Sequence, residues 1–283
     1  MCSKYSCQTG HPTEEIPPYN TCYHRFIGFQ DVNAVLSFND NYKFKCCGFI
    51  YAWEIFVREN AAVPLNVKVQ VWYDTGTIWN LREETIIEAT ADDTVKEELI
   101  PTGSRLRVFV NDRIGSYEYE GPVITYDNGG SYKIDTFTSD QTTFDWDAVA
   151  TRNNRDHAIH ARVNPSKAPT FTNLDDTVAI SNNDVAGTVV FTLTTNDDDL
   201  EDAGLLTVAH TDSTGFAAAF FELDLNTLEV KIKAGVSLSP GDHSMTFTVA
   251  DPCLKSTGIL TIRIENDVSI NLAFTASGPY LST

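Results

Sequence analysis

Between Leu65 and Tyr73 apolar and polar residues alternate without a break. Leu65, Val67, Val69, Val71 and Tyr73 take one register; Asn66, Lys68, Gln70 and Trp72 take the other. A period of two is the mark of a half-buried strand, because successive side chains point to opposite faces. Similar patterns run through Phe49 to Arg58, Thr85 to Ala89, Leu106 to Val110 and Ser131 to Thr138. They return in Thr188 to Thr194, Leu228 to Lys233, Ser244 to Val249 and Gly258 to Ile264. Asp74-Thr75-Gly76, Asp127-Asn128-Gly129-Gly130 and Ser239-Pro240-Gly241-Asp242 punctuate them as turns. Only two short stretches, Asp92 to Leu99 and Asp145 to Ala150, favour helix. A strand with one apolar face must bury it under a second layer, so the pattern predicts an all-β chain built of β-sandwiches.

A length of 283 residues suits two ordinary domains. The segment Asn164-Pro165-Ser166-Lys167-Ala168-Pro169 marks the break, and composition shifts across it. All four tryptophans precede it. Up to Lys167 the chain has 16 Lys+Arg against 23 Asp+Glu; beyond it the counts are 4 and 16. The expected organisation is an N-terminal arm (1–18), a jelly-roll-like sandwich (19–165), a second and strongly acidic sandwich (166–267) and a C-terminal strand or tail (268–283).

The formal net charge is -19. A surface so negative repels phosphate backbones and anionic lipid, which excludes nucleic acid as a partner class. It remains compatible with divalent cations and cationic partners. No apolar run approaches the roughly 20 residues that span a bilayer, so no membrane insertion is expected. No apolar segment follows Met1 to Cys7, so a signal peptide is not expected there and any export signal would lie outside this sequence.

Six cysteines, Cys2, Cys7, Cys22, Cys46, Cys47 and Cys253, are disulfide candidates. The adjacent pair Cys46-Cys47 and the lack of any C-x-x-C element suit zinc poorly, so disulfides and a secreted, extracellular setting are expected. Five of the six lie in the first 47 residues, and five cannot all pair among themselves. Cys253 therefore reaches back to one of them, bonds to a neighbouring chain, or is a free buried thiol.

Motifs after the break resemble a cadherin-type repeat. Ala168-Pro169-Thr170-Phe171 is similar to the opening of such repeats, and Val185-Ala186-Gly187-Thr188-Val189-Val190 to the turn into their second strand. Asp197-Asp198-Asp199 stands where they carry D-x-D. Phe221-Glu222-Leu223-Asp224 with Leu225-Asn226-Thr227-Leu228 resembles their hairpin. Val249-Ala250-Asp251 and Ile264-Glu265-Asn266-Asp267 resemble their closing acidic motifs. The resemblance covers Ala168 to Asp267. It implies a seven-strand Ig-like Greek-key sandwich and calcium at repeat junctions, where clustered carboxylates supply the six to eight oxygens the ion takes. Three positions depart from the pattern. Asn182 replaces an early glutamate, Leu238-Ser239-Pro240-Gly241 has no carboxylate where the family has L-D-R-E, and no run of acids precedes Ala168. What remains is one calcium ion on Asp197, Asp199 and Asp251, or a solvated acidic loop from Asp197 to Asp202.

The first domain weakly resembles a β-sandwich module of extracellular adhesion proteins, through Cys47 to Glu54, Val67 to Trp72 and Arg107 to Gly115. Trp72 falls on the strand face opposite Val69 and Val71, with Trp79 close behind. Exposed, the two rings would stack on a glycan; buried, they would close a core or rim. His157 and His160 sit three apart, on opposite faces of a strand, and are expected at the surface or rim, not on one metal. Asp145 and Asp147 would share a strand face, as a glycosidase needs, but no G-x-S-x-G, Walker or H-E-x-x-H motif appears. A non-enzymatic protein is expected.

At the C-terminus Val268, Ile270, Leu272 and Phe274 alternate with polar residues. That strand would complete its own sheet or add to a sheet in the next molecule. Donation from head to tail makes filaments unless a ring closes. The whole reads as an extracellular structural or adhesion protein that self-assembles. A carbohydrate-binding module and a calcium-dependent adhesion repeat are its rivals.

Overall fold

A computed structural model describes residues 43–57, 61, 63–91, 93–121, 123–124, 141–145, 147–148, 157–211 and 219–266. It also describes the strand or helix backbone of 35–37, 126–127, 131–134, 150–153, 156 and 217–218. The chain is nearly all β and divides into two compact units. One takes in residues up to Lys167 together with Asp199–Ala203; the other takes Ala168–Asp198 and the residues from Gly204 onward.

The first unit contains β1 (Val35–Ser37), β2 (Gly48–Val57), β3 (Leu65–Asp74), β4 (Ile78–Ala89), β5 (Thr94–Leu99), β6 (Leu106–Val108) and β7 (Arg113–Tyr117). Then come β8 (Tyr126–Asp127), β9 (Ser131–Ile134), β10 (Thr143–Asp145), β11 (Ala150–Asn153), β12 (Asp156–His157) and β13 (Ile159–Pro165). One sheet runs β10-β4-β3-β7-β1-β9-β11. The other runs β13-β2-β5, with β6 also on β2, and β8 pairs β12. Every register in these sheets is antiparallel. Between the two large sheets lie Trp53, Ile55 and Val57 of β2, Val67, Val69 and Val71 of β3, Ile87 of β4, Val108, Ile114 and Ile159. The alternation of β3 is thus the alternation of core and outer face. Each such aliphatic side chain contributes on the order of 1.5–3 kcal/mol by leaving water.

Neither expected helix forms. Thr94–Leu99 is an edge strand paired with β2 from Ala52↔Leu99 to Val57↔Thr94. Its Lys, Glu and Leu favour helix locally, but a short isolated helix is marginal, whereas the open edge of β2 offers this segment main-chain partners along its whole length. Asp145 ends β10, and the backbone N–H of Asp147 donates to its Oδ1 at 3.0 Å. That Asx turn stops the strand and replaces the second helix. Among the described residues the one α-helix is the single turn α1 (Ala217–Phe220).

The second unit contains β14 (Thr170–Phe171), β15 (Asp176–Ser181), β16 (Val189–Thr192), β17 (Thr195–Asn196), β18 (Thr207–Thr211), β19 (Phe221–Asp224), β20 (Glu229–Ile232), β21 (Gly241–Ala250) and β22 (Lys255–Glu265). Its sheets run β15-β22-β21-β18 and β16-β20-β19, with β14 paired to β17. The opening strand is split. β14 lies antiparallel to β17, whereas β15 lies parallel to the last strand, from Asp176↔Leu260 to Ser181↔Glu265. Phe221, Val230, Ile232, Met245, Phe247, Leu260, Ile262 and Ile264 fill the space between the sheets. Where β22 passes beneath the opening strand it uses a glycine. A Cβ at Gly258 would stand 2.7 Å from Leu174 Cβ and 3.3 Å from a Phe171 ring carbon.

Overpacking that contact costs about 1–3 kcal/mol. Gly258→Ala is therefore expected to lower the melting temperature of this unit by several degrees, read by differential scanning calorimetry.

Candidate functional site

The acidic loop expected to hold calcium is built from a short turn of 3-10 helix, Leu200–Asp202. The N–H of Asp202 donates to the carbonyl of Asp199 at 3.0 Å. That turn folds the carboxylates back on one another. Within the loop, Asp197, Asp199 and Asp202 each bring one carboxylate oxygen to within 4.8 Å of the other two. Asp202 was not among the sequence candidates; its signal is only that it stands one turn beyond Asp199. Asp251 is not in this group. Its Oδ1 accepts the N–H groups of Cys253 and Leu254, and its own N–H donates to the Leu254 carbonyl at 3.1 Å. It caps the turn joining β21 to β22 through Oδ1.

The segment Asp199–Ala203 belongs to the first unit, and its partners there are mostly donors. Asp199 Oδ2 accepts from the Ser166 hydroxyl at 3.1 Å and from the Lys167 N–H at 2.6 Å. Asp202 is fully buried, and Arg107 Nη2 donates to its Oδ1. The same Nη2 reaches the Glu201 carbonyl at 3.4 Å, and Arg105 Nη1 lies 3.4 Å from Glu201 Oε1. The Arg107 guanidinium also lies 5.0 Å from the centroid of the Phe49 ring, a cation–π distance. Nothing in the spacing of the sequence linked Arg107 to a carboxylate 95 residues later.

Three carboxylates so placed could hold a metal ion, and the donors around them compete for their oxygens. Calcium needs six to eight oxygens, and none of its ligands can be a cation. Here the buried carboxylate already faces a guanidinium, and an oxygen of Asp199 already accepts two donors.

The tryptophans are corrected as glycan platforms. Trp72 and Trp79 are 2% and 5% exposed. Phe144 meets Trp72 edge-on at 5.2 Å and stacks on Trp79 at 6.3 Å, and the Trp72 Nε1–H donates to Gln70 Oε1 at 3.2 Å. A shift of register between Val71 and Trp72 accompanies this outer cluster. Neither ring has a face left for a sugar. His157 is buried and not at the surface. His160 lies half-exposed on β13 with its Nδ1 2.9 Å from Glu54 Oε2. Asp145 and Asp147 do not share a strand face, because the strand ends between them. Cys46, Cys47 and Cys253 are disulfide-bonded, so Cys253 is not a free thiol. Cys2, Cys7 and Cys22, and the strand residues Val268, Ile270, Leu272 and Phe274, lie outside the described residues.

Glu54 is the centre of a polar network on β2. It accepts from His160 and Arg162, and Arg162 also reaches Glu97 at 3.2 Å. The His160 hydrogen bond, ahead of the Arg162 charge, holds the Glu54 carboxyl below its ordinary value, against burial that pushes it up. Asp112 moves the other way. Burial raises it although Arg82 binds it through two bonds, Nε to Oδ2 at 2.7 Å and Nη2 to Oδ1 at 3.1 Å.

No protein-family model matches the chain, and no curated protein does. Solved structures that match include cadherin domains. The third cadherin domain of human protocadherin 7 matches at 15% identity, over 35% of this chain and 87% of that one, with a TM-score of 0.32. Drosophila N-cadherin EC1-3 matches at 14% identity, over 59% and 52%, with a TM-score of 0.33. Mouse cadherin-23 EC22-24 matches at 15%, over 71% and 53%, with a TM-score of 0.32. The chain thus spans about half the length of the multi-repeat structures. At such scores the overlaps carry no argument of their own. The second unit is a β-sandwich of two packed sheets, the class the resemblance implied.

Glu54 supplies the pH test. A depressed folded value means stability that is present above the ordinary carboxyl value of 4.5 and lost as pH falls through the lower folded value. Glu54→Gln should melt lower than wild type at neutral pH, and the gap should close as pH drops below that range.

Proposed function

We propose that this chain is an extracellular, non-enzymatic adhesion-type protein that associates with copies of itself. The observation that carries the reading is the strand order of the second unit, a sandwich with a split opening strand. Disulfide-bonded Cys46, Cys47 and Cys253 support an oxidising compartment. Among the described residues no helix is long and apolar enough to cross a membrane. Asp145 and Asp147, the carboxylates weighed for hydrolysis, are exposed, and the Asp145 carboxylate is engaged in a local turn.

Self-association is assigned to the alternating segment 268–283. An apolar strand face without a sheet to cover it gains by adding to a neighbour's sheet edge, where main-chain hydrogen bonds hold it and side-chain pockets select it. Successive donation would build filaments.

Sedimentation velocity and negative-stain microscopy test this reading. The full chain should form concentration-dependent oligomers or polymers, and a chain ending at Asp267 should sediment as a monomer with unchanged circular dichroism. Equal assembly by both chains would exclude donation by that strand. Monomers from both would exclude self-association.

A further inference from the structure

We propose that Arg107 occupies the electrostatic role that a calcium ion would otherwise take in the loop, so that Asp199–Ala203 is fixed by a guanidinium and not by a metal. The inference is independent of what the protein binds. It rests on the burial and partners of two charges of opposite sign.

Asp202 has no exposed surface and Arg107 is 13% exposed at its side chain. A carboxylate so placed stays ionised only if a positive charge meets it, and an isolated charge in that environment is strongly disfavoured. Arg107 is the group that meets it, and it is itself held in place. It stands on β6, whose pairing with β2 places Arg107 opposite Phe49, and its guanidinium lies over that same ring. Arg105 is two residues away, on the same face of an extended segment, and its guanidinium reaches Glu201. The period of two thus presents two fixed cations to two consecutive acids.

The remaining partners agree. Oδ2 of Asp199 accepts from Ser166 and Lys167, and a cation at that oxygen would compete with both donors. Calcium entering this loop would have to displace Arg107 from a fully buried oxygen donor, or sit beside it as a like charge. Removing the guanidinium reverses the situation. The carboxylates then become an uncompensated acidic group, and a hard divalent ion is the charge that fits them.

The test is thermal melting of the full chain in chelator and in millimolar calcium, with isothermal titration of calcium as a second readout. Four proteins are compared: wild type, Arg107→Lys, Arg107→Gln and the double variant R107Q/D202N. Wild type and Arg107→Lys should melt at the same temperature in both buffers and bind no calcium. Arg107→Gln should melt roughly 5–15 °C lower in chelator, since it leaves a buried charge alone. Calcium should recover a large part of that loss and titrate with a measurable heat. The double variant should regain stability in chelator and lose the calcium response, because Asp202 no longer carries the charge. The proposal is overturned if calcium raises the wild-type melting temperature by more than about 2 °C. It is equally overturned if Arg107→Gln is as stable as wild type, or is destabilised but indifferent to calcium. Should Arg107→Gln fail to fold in either buffer, the wild type and the double variant decide. A calcium-indifferent wild type with a folded double variant upholds the proposal, and any other pair of results rejects it.

Discussion

Each long strand of this protein carries an apolar face that must leave water, and both units follow from that constraint. β3 turns Val67, Val69 and Val71 inward; β22 does the same with Leu260, Ile262 and Ile264. A single sheet of such strands would leave its apolar face in water, so a second sheet must close over it. The central strands make the closure possible. β2 is paired on both sides by β13, β5 and β6, and β22 by β15 and β21. Backbone groups along these strands find partners within the sheets, leaving the side chains free to decide which face is inside.

Several of the acids taken inside by this packing are matched individually. Asp112 accepts from Arg82 and from the Phe109 N–H, and Arg82 lies 4.4 Å from both the Tyr73 and the Phe109 ring centroids. Glu118 accepts the N–H groups of Val123 and Ile124. Asp202 meets Arg107. In a chain with a net charge of -19, a cation placed against a buried carboxylate serves both local satisfaction and the relief of self-repulsion. Burying an acid without such a partner would cost several kcal/mol, a large share of the stability of a domain. Arg82 and Arg107 are thus structural counter-charges to buried acids of the first unit.

Local signals and tertiary signals were legible in the sequence to different degrees. Asp251 illustrates the limit. Its place in Val249-Ala250-Asp251 matched a ligand motif, yet its carboxylate serves the turn at Cys253 and Leu254. A motif records which residue types stand together, and a turn uses the same aspartate chemistry as a metal does. Trp72 likewise stood on the outer face of its strand as expected, but outer did not mean exposed, since Phe144 covers it from β10, the edge strand on the far side of β4. Thr94–Leu99 shows propensity yielding to pairing, because the edge of β2 offers partners that a short isolated helix lacks.

The amino-acid sequence by itself determined the all-β class and the inward faces of the long strands, and made disulfides the expected chemistry of its cysteines. These follow from composition and from a period of two, which are properties of neighbouring residues. Only the tertiary structure decided that Arg107 meets Asp202, that Asp202 and not Asp251 joins Asp197 and Asp199, and that Trp72 and Trp79 are closed off. Those contacts join residues up to 95 positions apart. They arise when two sheets pack and one loop folds back, and the physical cause is burial, which makes a distant counter-charge or ring the lowest free-energy partner available.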